Sequence, residues 1–599
     1  MRIMQFFNTV CSKNLLHVAA VVLGLIAIQL TTLGSALTVT TWAETPTRRQ
    51  SLREATEWLH TKAFRMIRAS RSQMANGVSA FPPQAGKGYD AFWLRDYAYQ
   101  LEGCIDAFSD KELTDACRVF IGGLRHDGAG VDCVKFNGQP IYKPGGDTMG
   151  DNPVADGSQF TVDVAWHTWR RTHDRQLLEE IIEKLIMTMN AAPRNPQTGL
   201  IYIKPGGYDR CPYGFTDTIR KQGDELFCSL LYLQGCRQLA DLLVAVNRME
   251  DAKKWRKEAE KLVPMIRRTF WDENIGLFRA ATVLCKQPDI WGSAFAVYLD
   301  VATPEQANTI ARYFKVHYTE IVQNGQIRHL PGGMYWDAGC PRDTYQNGGY
   351  WATATGWFVY TLDLVDPKLA DQTVVDLVDD FRHRGVSEWV LGPRMAVMNY
   401  LASATMPLAG IERMMARRGT PIVFQKVTRP AEPNGPANLA FVGNGAKPAT
   451  ASSSRPEPGH QPAGINDGRY GNNHSWIGGK AVSAFTIELA KPATIGRFCI
   501  GRDRQGEYDD RWCDALRIET SVDGKQWQTV FDKKELCSHP DFDSGGTVAI
   551  EVSPILAGFV RVTVNGKSAG DGDRPCVDEF EVYAPPARPS EQVPSLRFK

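Results

Sequence analysis

The chain passes from loop to helix in the segment Tyr213-Gly214-Phe215-Thr216-Asp217-Thr218-Ile219-Arg220-Lys221-Gln222-Gly223-Asp224-Glu225-Leu226-Phe227. Its first half is a loop with one acid, Asp217, and its second half begins an apolar helix that continues through Leu230, Leu231 and Leu233. A carboxyl held at the mouth of a helix beside aromatic side chains can have a raised pKa and meet a substrate. Asp217 is therefore a candidate general acid, and helix N-capping is the alternative role.

Composition excludes one class of partner. The chain has 599 residues, with 68 Lys and Arg against 67 Asp and Glu, for a net charge of +1. No basic stripe is visible, so we expect no nucleic-acid binding. The 13 Cys are scattered along the chain and include no CxxC pair, so we expect no zinc site. We expect no cofactor for catalysis.

The N-terminal segment has the layout of a secretory signal. Arg2 and Lys13 precede an uncharged run, 15–41, and small residues such as Gly34-Ser35-Ala36 follow its apolar middle. We assign 1–43 as a signal peptide and expect a secreted, periplasmic or cell-surface protein without membrane association after cleavage. An uncleaved N-terminal anchor is the alternative, because the run is about 20 residues long.

Helical periodicity dominates the next part of the chain, which we bound at 44–418. Amphipathic stretches begin near residues 51, 95, 111, 157, 176, 222, 247, 288, 302, 347, 367 and 392. Alternate starts recur about every 60 residues, which predicts six helical hairpins in a solenoid or a closed ring. Long Gly/Pro/aromatic loops lie at one end of the hairpins, and a closed ring would gather them over one cavity. We therefore predict an all-α (α/α)6 toroid.

The periodicity changes after the helices. Residues 419–436 contain Pro430, Pro433 and Pro436 and predict a linker. From 437 to 584, short β runs such as Phe485–Leu489 alternate with Gly/Asp turns, which predicts an all-β sandwich. Residues 585–599 are expected to form a disordered tail.

This β region resembles the discoidin family, also called coagulation factor 5/8 type C, and its carbohydrate-binding relatives. The residues that carry the resemblance are Ile465-Asn466-Asp467-Gly468, Trp476, Ser521-Val522-Asp523-Gly524-Lys525-Gln526-Trp527 and Asp578-Glu579-Phe580-Glu581-Val582-Tyr583. The resemblance implies a jelly-roll sandwich that binds sugar on loops at one end. It also implies a structural calcium ion at Asp467 and Glu579. An Asx turn and a surface glutamate are the alternative for those two residues.

The helical part resembles the six-hairpin glycosidase superfamily. Phe92-Trp93-Leu94-Arg95-Asp96-Tyr97 is similar to the Trp-x-Arg-Asp segment that holds hydroxyls of the terminal sugar in glucoamylase-like enzymes. Tyr345-Gln346-Asn347-Gly348-Gly349-Tyr350-Trp351 is similar to the Tyr-His-Asn-Gly-Gly-x-Trp of neutral invertases, with Gln346 in place of the His. Glu388-Trp389, followed by Tyr400–Ala404, resembles a late catalytic-base segment. No single family is matched closely, so the substrate does not follow.

Glycoside cleavage needs one carboxylic acid at the departing oxygen and a carboxylate opposite it. We predict Asp217 as the acid, with Glu225 second. We predict Glu388 as the base, in a loop between Gly385 and Gly392-Pro393. Asp337 and Asp343 are the alternatives for the base. The resemblance implies an inverting mechanism.

Several further residues are candidates for substrate binding. We expect Arg95 and Asp96 to act as a fixed pair on sugar hydroxyls, and aromatic faces to stack on sugar rings. Asp156 is expected to cap a helix. The predicted binding set is Trp93, Arg95, Asp96, Trp291, Tyr345, Gln346, Asn347 and Trp351.

Together these features predict an exported, exo-acting glycoside hydrolase with a C-terminal carbohydrate-binding module, acting on an oligo- or polysaccharide. One alternative is a polysaccharide lyase on the same toroid, with Tyr213 and Arg210 facing a uronate. The other is a non-catalytic carbohydrate-binding protein.

Overall fold

The computed structural model describes residues 51–85, 89–143, 154–205, 216–422, 424, 437–456, 459–471, 474–502, 511–534, 548–568, 572–585 and 595–596. The predicted signal peptide and the residues Arg210, Tyr213 and Phe215 lie outside these ranges. Most of the predicted linker and tail lies outside them as well. Within the described ranges, no helix combines the length and the apolar character needed to cross a bilayer.

Twelve main helices lie in the described part of the region 51–418. Several begin at the residue types expected for N-caps: Ser51 and Ser109 form capping boxes with Glu54 and Glu112, and Thr303 is followed by a proline. The helices are α1 (Leu52–Ser70), α2 (Leu94–Cys104), α3 (Asp110–Gly122), α4 (Gly157–Thr172), α5 (Arg175–Ala191), α6 (Leu226–Ala245), α7 (Met249–Phe270), α8 (Ile290–Tyr298), α9 (Pro304–Val316), α10 (Thr355–Leu362), α11 (Pro367–Arg384) and α12 (Leu401–Arg417).

Burial divides the helices into two alternating sets. The even-numbered helices are buried on most sides: every residue of α8 and α10 is buried, whereas α7 buries one apolar stripe. The even-numbered helices also contact one another in chain order, α2 with α4, α4 with α6, α6 with α8, α8 with α10 and α10 with α12. Finally α12 packs against α2, so the order closes on itself. The odd-numbered helices lie between these in sequence.

Two glycines allow α12 to pack closely against α10 and α2. Gly410 of α12 lies so near α10 that a Cβ there would overlap the backbone of Gly356. On the other side, a Cβ at Gly103 of α2 would overlap the backbone of Thr405 in α12. Because α12 meets both neighbours backbone to backbone, only residues without a side chain fit at these crossings.

Short strands precede the even-numbered helices. They are β1 (Ser72–Gln73), β2 (Ser79–Ala80), β3 (Ala91–Trp93), β4 (Cys133–Lys135), β5 (Pro140–Ile141), β6 (Tyr202–Ile203), β7 (Gly223–Asp224), β8 (Trp271–Asp272), β9 (Leu277–Phe278), β10 (Val322–Gln323), β11 (Gln326–Arg328), β12 (Tyr350–Trp351), β13 (Ser387–Leu391) and β14 (Arg394–Met398). The last five form one antiparallel sheet in the order β10-β11-β12-β13-β14.

This sheet corrects two sequence predictions. The helices expected to begin near 347 and 392 begin at Thr355 and Leu401, because strands occupy the residues before them. Glu388 was predicted in a loop, but it lies on β13, in an antiparallel hairpin with β14. The helix before it does end at Arg384, with Gly385 at its C-cap, as the sequence indicated.

Residues 437–584 form an all-β domain within the described ranges. Its strands are β15 (Thr450–Ala451), β16 (Trp476–Ile477), β17 (Val482–Gly501), β18 (Arg511–Ser521), β19 (Gln528–Lys534), β20 (Val548–Ser568), β21 (Cys576–Val577) and β22 (Glu579–Tyr583), with β23 (Ser595–Leu596) beyond. The main sheet has the order β15-β17-β20-β18-β19, with β22 paired to β17, and β16 pairs with β21. Trp476 packs edge-on against Phe485 in the core.

Candidate active site

The two predicted catalytic carboxyls are held by consecutive residues. The hydroxyl of Tyr345 donates to Oε1 of Glu388 at 3.1 Å, and the side-chain amide of Gln346 donates to Oδ1 of Asp217. Tyr345 has a φ of 45°, in the left-handed region that a bulky residue seldom adopts. The turn before β12 thus donates a hydrogen bond to each carboxyl. Asp217 and Glu388 themselves are 171 positions apart in the sequence.

Gln346 is fully buried, and its other amide atom is also bound. Its Oε1 accepts from the backbone N–H of Thr218 at 3.0 Å and from the Thr218 hydroxyl at 2.7 Å. These two bonds fix which way the amide points, so Nε2 must face Asp217. Asp217 itself is half-buried. Gln346, which was predicted to bind substrate, thus connects the acid loop to the turn before β12 in this structure.

Glu388 is a buried carboxyl whose pKa is raised to about 8. Burial is the main cause. The hydrogen bond from Tyr345 opposes it, whereas the negative charges of Asp96 and Asp217 add to it. The hydroxyl of Tyr89 also donates to Glu388. Near neutral pH, Glu388 therefore carries a proton in the free protein.

Asp96 is a third acid of the same cluster. It is buried, and the hydroxyl of Tyr400 donates to its Oδ1 at 2.6 Å. Burial raises the pKa of Asp96 to about 6, and the Tyr400 hydrogen bond and the Arg95 charge moderate that rise. Asp96 and Tyr400 lie at the N-terminal ends of α2 and α12, so the closing contact of the ring brings them together.

Arg95 is held by two buried acids. Its Nε and Nη2 donate to the two oxygens of Asp156 at 3.1 and 3.0 Å, and Nη1 donates to Asp132 at 2.9 Å. All three side chains are buried. Two other acids hold the guanidinium group here. The action of Arg95 with Asp96 on sugar hydroxyls stays a prediction. Asp156 stands at the N-cap of α4 as predicted, but its carboxylate binds Arg95 and makes no capping hydrogen bond.

The aromatic candidates separate into surface and core. Trp93 is half-buried, and the ring of Tyr89 meets it edge-on at 4.9 Å. Trp291 and Trp351 are fully buried, and Trp291 stacks on His329 at 3.7 Å. Neither of these two can present a face to a sugar in this structure, so their predicted stacking role is wrong.

The other candidates have structural partners. Asn347 is buried, accepts from the backbone N–H of Trp336 and donates to the carbonyl of Cys340, so it holds the loop rather than facing substrate. Glu225, second choice for the acid, caps α6 through the backbone N–H of Cys228 at 2.7 Å. It also binds the buried Lys221 at 3.2 Å. Of the alternative bases, Asp337 is exposed, and Asp343 is exposed and accepts from Tyr335.

Three residues that hold the site together were not predicted to do so. Tyr89 donates to Glu388, Asp132 binds Arg95, and Tyr400 donates to Asp96. Tyr400 stood in the quoted late segment, but its partner Asp96 lies 304 positions away. Asp132 is 37 positions from Arg95. The available signal was position: Tyr400 directly precedes α12, Asp132 directly precedes β4, and Tyr89 lies two residues before β3.

The predicted calcium residues of the β domain lie around one turn. Asp467 accepts from the backbone N–H of Arg469 at 2.9 Å, which is an Asx turn, and contacts Nδ1 of His474 at 3.0 Å. Glu579 is buried and accepts from the backbone N–H of Gly468 at 3.3 Å. Calcium takes six to eight oxygen ligands. The calcium ion thus stays a prediction, with these carboxylates already hydrogen-bonded within the turn.

Comparison with known proteins identifies this second domain. Residues 448–576 match the family model described as F5/8 type C domain. The chain carries an F5/8 type C domain. The expectation drawn from the Asn466-Asp467-Gly468 turn and the late Asp578-Glu579-Phe580 strand is thereby confirmed at the level of the domain. The matched range lies inside the β domain, and Glu579 falls three residues beyond its end.

Solved structures similar to this chain include a rhamnosidase from Klebsiella oxytoca with rhamnose bound, at 15% identity and a TM-score of 0.43, covering 61% of this chain and 64% of that one. Over the F5/8 type C domain, the similar structures include CpGH89CBM32-5 from Clostridium perfringens in complex with GalNAc-beta-1,3-galactose, at 18% identity and a TM-score of 0.21, covering 24% of this chain and 99% of that one. The family 32 carbohydrate-binding module from Streptococcus pneumoniae EndoD has 17% identity and a TM-score of 0.21, covering 25% and 99%. No curated protein sequence matches the chain.

Proposed function

We propose that the chain is an exported glycoside hydrolase, with an (α/α)6 toroid as its catalytic domain and the F5/8 type C domain as a saccharide-binding module. The closed contact order of the even-numbered helices, α2 to α12 and back, supports the toroid. The long loops at one end of that ring favour cleavage at the end of a sugar chain. The proposed location is the medium, the periplasm or the cell surface, and the proposed substrate is an oligo- or polysaccharide.

The observation that carries this proposal is the binding of Asp217 and Glu388 by the consecutive residues Gln346 and Tyr345. Two carboxyls so held, one buried and one half-buried, supply the proton donor and the proton acceptor that glycoside hydrolysis needs. Electrostatic repulsion between them contributes to the raised pKa of Glu388, so they act on each other across the same site.

In the proposed reaction, Asp217 gives its proton to the glycosidic oxygen as the bond from that oxygen to the anomeric carbon breaks. Glu388 takes a proton from water, and the water oxygen forms the new bond to the anomeric carbon from the opposite face, with inversion. The proton lost by Asp217 and the proton gained by Glu388 balance, and solvent resets the pair. We assign the acid role to Asp217 because it is half-exposed on the loop before α6, where a leaving sugar can depart.

The pKa of Glu388 favours the opposite division of roles. A carboxyl with a pKa of about 8 holds its proton at neutral pH, as a general acid must. The active form in either case carries one proton on the pair, and a coupled pair titrates as a unit. Which of the two carboxyls is the acid and which the base is therefore tested by chemical rescue rather than by the pH dependence alone.

The acid cluster also bears on the lyase alternative. With one proton on the pair of Asp217 and Glu388, the three acids of the cluster still carry negative charge, which would repel the carboxylate of a uronate. A neutral sugar fits the cluster better, since tyrosine hydroxyls and carboxylates both hydrogen-bond to hydroxyl groups. The hydrolase is accordingly the function that we propose.

The test is a panel of neutral oligo- and polysaccharides incubated with the full chain, with sugar release measured and the anomer of the first product followed by NMR. We expect release of a terminal sugar as the inverted anomer. Asp217→Asn and Glu388→Gln should each lower kcat/KM by about 10²–10⁴-fold. Asp343→Asn is the matched control, an exposed acid two residues before Tyr345 whose φ of 56° suits asparagine. Binding of a glycan without any product would instead identify a non-catalytic carbohydrate-binding protein.

A further inference from the structure

A second group of metal-ligating side chains lies away from the acid cluster, where α1 meets the C-terminal end of α2. His60 comes from α1, Cys104 is the last residue of α2, and Asp106 lies two residues further on. One donor atom from each of these residues lies within 4.8 Å of the other two. The group takes no part in the reaction proposed above.

The spacing of the donor atoms suits a metal ion. Nε2 of His60 lies 3.1 Å from Oδ1 of Asp106, and Sγ of Cys104 lies 3.5 Å from the same oxygen. Ligand atoms around tetrahedral zinc, with bonds of 2.0–2.3 Å, are about 3.3–3.7 Å apart. Small shifts of the carboxylate would therefore place all three atoms around one ion.

The local backbone builds this arrangement. Cys104 has φ −155° and ψ 52°, so the chain leaves the helical path there and continues into a short 3-10 turn that carries Asp106. The ring of His60 stacks on Phe424 at 4.0 Å with the planes only 3° apart, which holds the imidazole in one orientation. An oriented imidazole is what metal ligation requires of a histidine.

Burial and access are also divided as a metal site needs. The side chains of His60 and Cys104 are buried, whereas the Asp106 side chain is 42% exposed. An ion and one water molecule can therefore reach the group from the solvent side, with three protein ligands behind them. Imidazole, thiolate and carboxylate together select borderline divalent cations such as Zn²⁺ over Ca²⁺ or Mg²⁺.

We propose that His60, Cys104 and Asp106 bind one divalent transition-metal ion of the Zn²⁺ class. On binding, the Cys104 thiol gives up its proton to solvent and its sulfur forms a bond to the ion, which makes no demand for an oxidant or reductant. The ion would tie the outer helix α1 to the end of α2, and thus brace the first hairpin of the ring.

The test uses the purified full chain, with Co²⁺ as a spectroscopic probe and Zn²⁺ as a competitor. We expect one equivalent of Co²⁺ to bind with a thiolate-to-metal charge-transfer band in the near ultraviolet, and Zn²⁺ to displace it. Cys104→Ser should abolish the band, while Cys117→Ser, a buried cysteine outside the group, should keep it. Loss of an outer-shell partner weakens metal binding about 10–100-fold, so loss of the direct ligand in Asp106→Asn should cost at least about 100-fold.

Asp106→Asn also guards against a folding artefact, because its side chain is half-exposed and the change keeps its size. Zn²⁺ should raise the unfolding temperature of the wild type, as a ligand of the folded state does, and should not raise that of Asp106→Asn. Absence of metal uptake by the wild type, or an unchanged charge-transfer band in Cys104→Ser, would overturn the proposal. The group would then be a hydrogen-bonded trio only.

Discussion

The hydroxyl of Tyr345 lies 3.1 Å from Oε1 of Glu388, and this hydrogen bond lowers a carboxyl pKa that burial raises. Tyr345→Phe should therefore raise the pKa of Glu388 further, because the ionised form loses a donor. We expect kcat/KM to fall about 10–100-fold, as for a hydrogen bond to a charged group of about 1.5–3 kcal/mol. The alkaline limb of the pH–rate profile should move to higher pH.

Tyr350→Phe is the control for this change, because the hydroxyl of Tyr350 lies outside the acid cluster and points toward the carbonyl of Glu320. Its pH profile should match that of the wild type. An unchanged profile in Tyr345→Phe as well would mean that the Tyr345 hydroxyl does not tune Glu388.

Gln346 supplies the second contact, from its side-chain amide to Asp217. Gln346→Glu removes the amide donor and brings a third acid against Asp217, so it should reduce kcat more severely than Gln346→Ala. We expect losses of about 10²-fold or more for the glutamate. Gln372→Glu on α11 is the charge-matched control, because it likewise replaces an amide that donates to an aspartate, there Asp376. Equal activity of Gln346→Glu and wild type would remove Gln346 from the site.

We expect the raised pKa of Glu388 to set the pH dependence of the proposed activity. The active form keeps one proton on the carboxyl pair, and that proton is lost as the pH rises through about 8. We expect kcat/KM to decrease above about pH 8, with the midpoint measured on a neutral substrate so that only the enzyme titrates. A rate that keeps rising through pH 9 would contradict a pair that needs this proton.

The raised pKa of Glu388 also makes the stability of the folded state depend on pH. The folded state holds a proton on Glu388 between its ordinary pKa of 4.5 and about 8, where the unfolded chain has lost it. The free energy of unfolding should therefore decline as pH rises through that window. Glu388→Gln removes this contribution, so its unfolding temperature relative to the wild type should be higher at pH 8 than at pH 5. Thermal scans at both values check it.

The helices could be predicted from sequence because their signal is local. Apolar spacing located the starts of ten helices to within four residues, and in the structure Ser109 and Asp366 cap two of these helices. The starts of α10 and α12 were predicted too early in the sequence, because the strands β12 to β14 precede these helices. These strands are two to five residues long and carry little periodic signal.

The site was less accessible to sequence, because its bonds join distant segments. Asp217 and Glu388 were predicted from local sequence context, although Glu388 lies on a strand and not in the expected loop. The partners of Arg95 lie 37 and 61 positions away, and nothing local marks them. Trp291 and Trp351 were misjudged for a related reason. Aromatic residues beside glycine occur in binding loops, yet these two stand where strands or loops enter the buried helices, so packing takes their faces.

Chemical rescue decides which carboxyl donates the proton. If Asp217 is the acid, Asp217→Asn should regain activity on glycosides whose leaving group needs no protonation, because only the protonation step is lost. Glu388→Ala should not regain activity on those substrates, but azide should restore it by replacing the activated water and forming an inverted glycosyl azide. Reversal of the two responses would assign the acid to Glu388 and the base to Asp217.

Ring closure can be tested apart from chemistry, at the crossing of α10 and α12. A methyl group in Gly410→Ala would overlap the backbone of Gly356, so the two helices must move apart or the variant must unfold. Overpacking of this kind costs about 1–3 kcal/mol, and calorimetry should show a lower unfolding temperature for the helical region with the β-domain transition unchanged. Gly122→Ala is the matched control, a helical glycine with open space around its Cβ position, where alanine should be neutral or stabilising.

Because α12 also carries Tyr400 to Asp96 at its N-terminal end, Gly410→Ala should reduce activity even below its unfolding temperature. A variant as stable and active as Gly122→Ala would mean that α12 does not close the ring as tightly as the Gly410 contact requires.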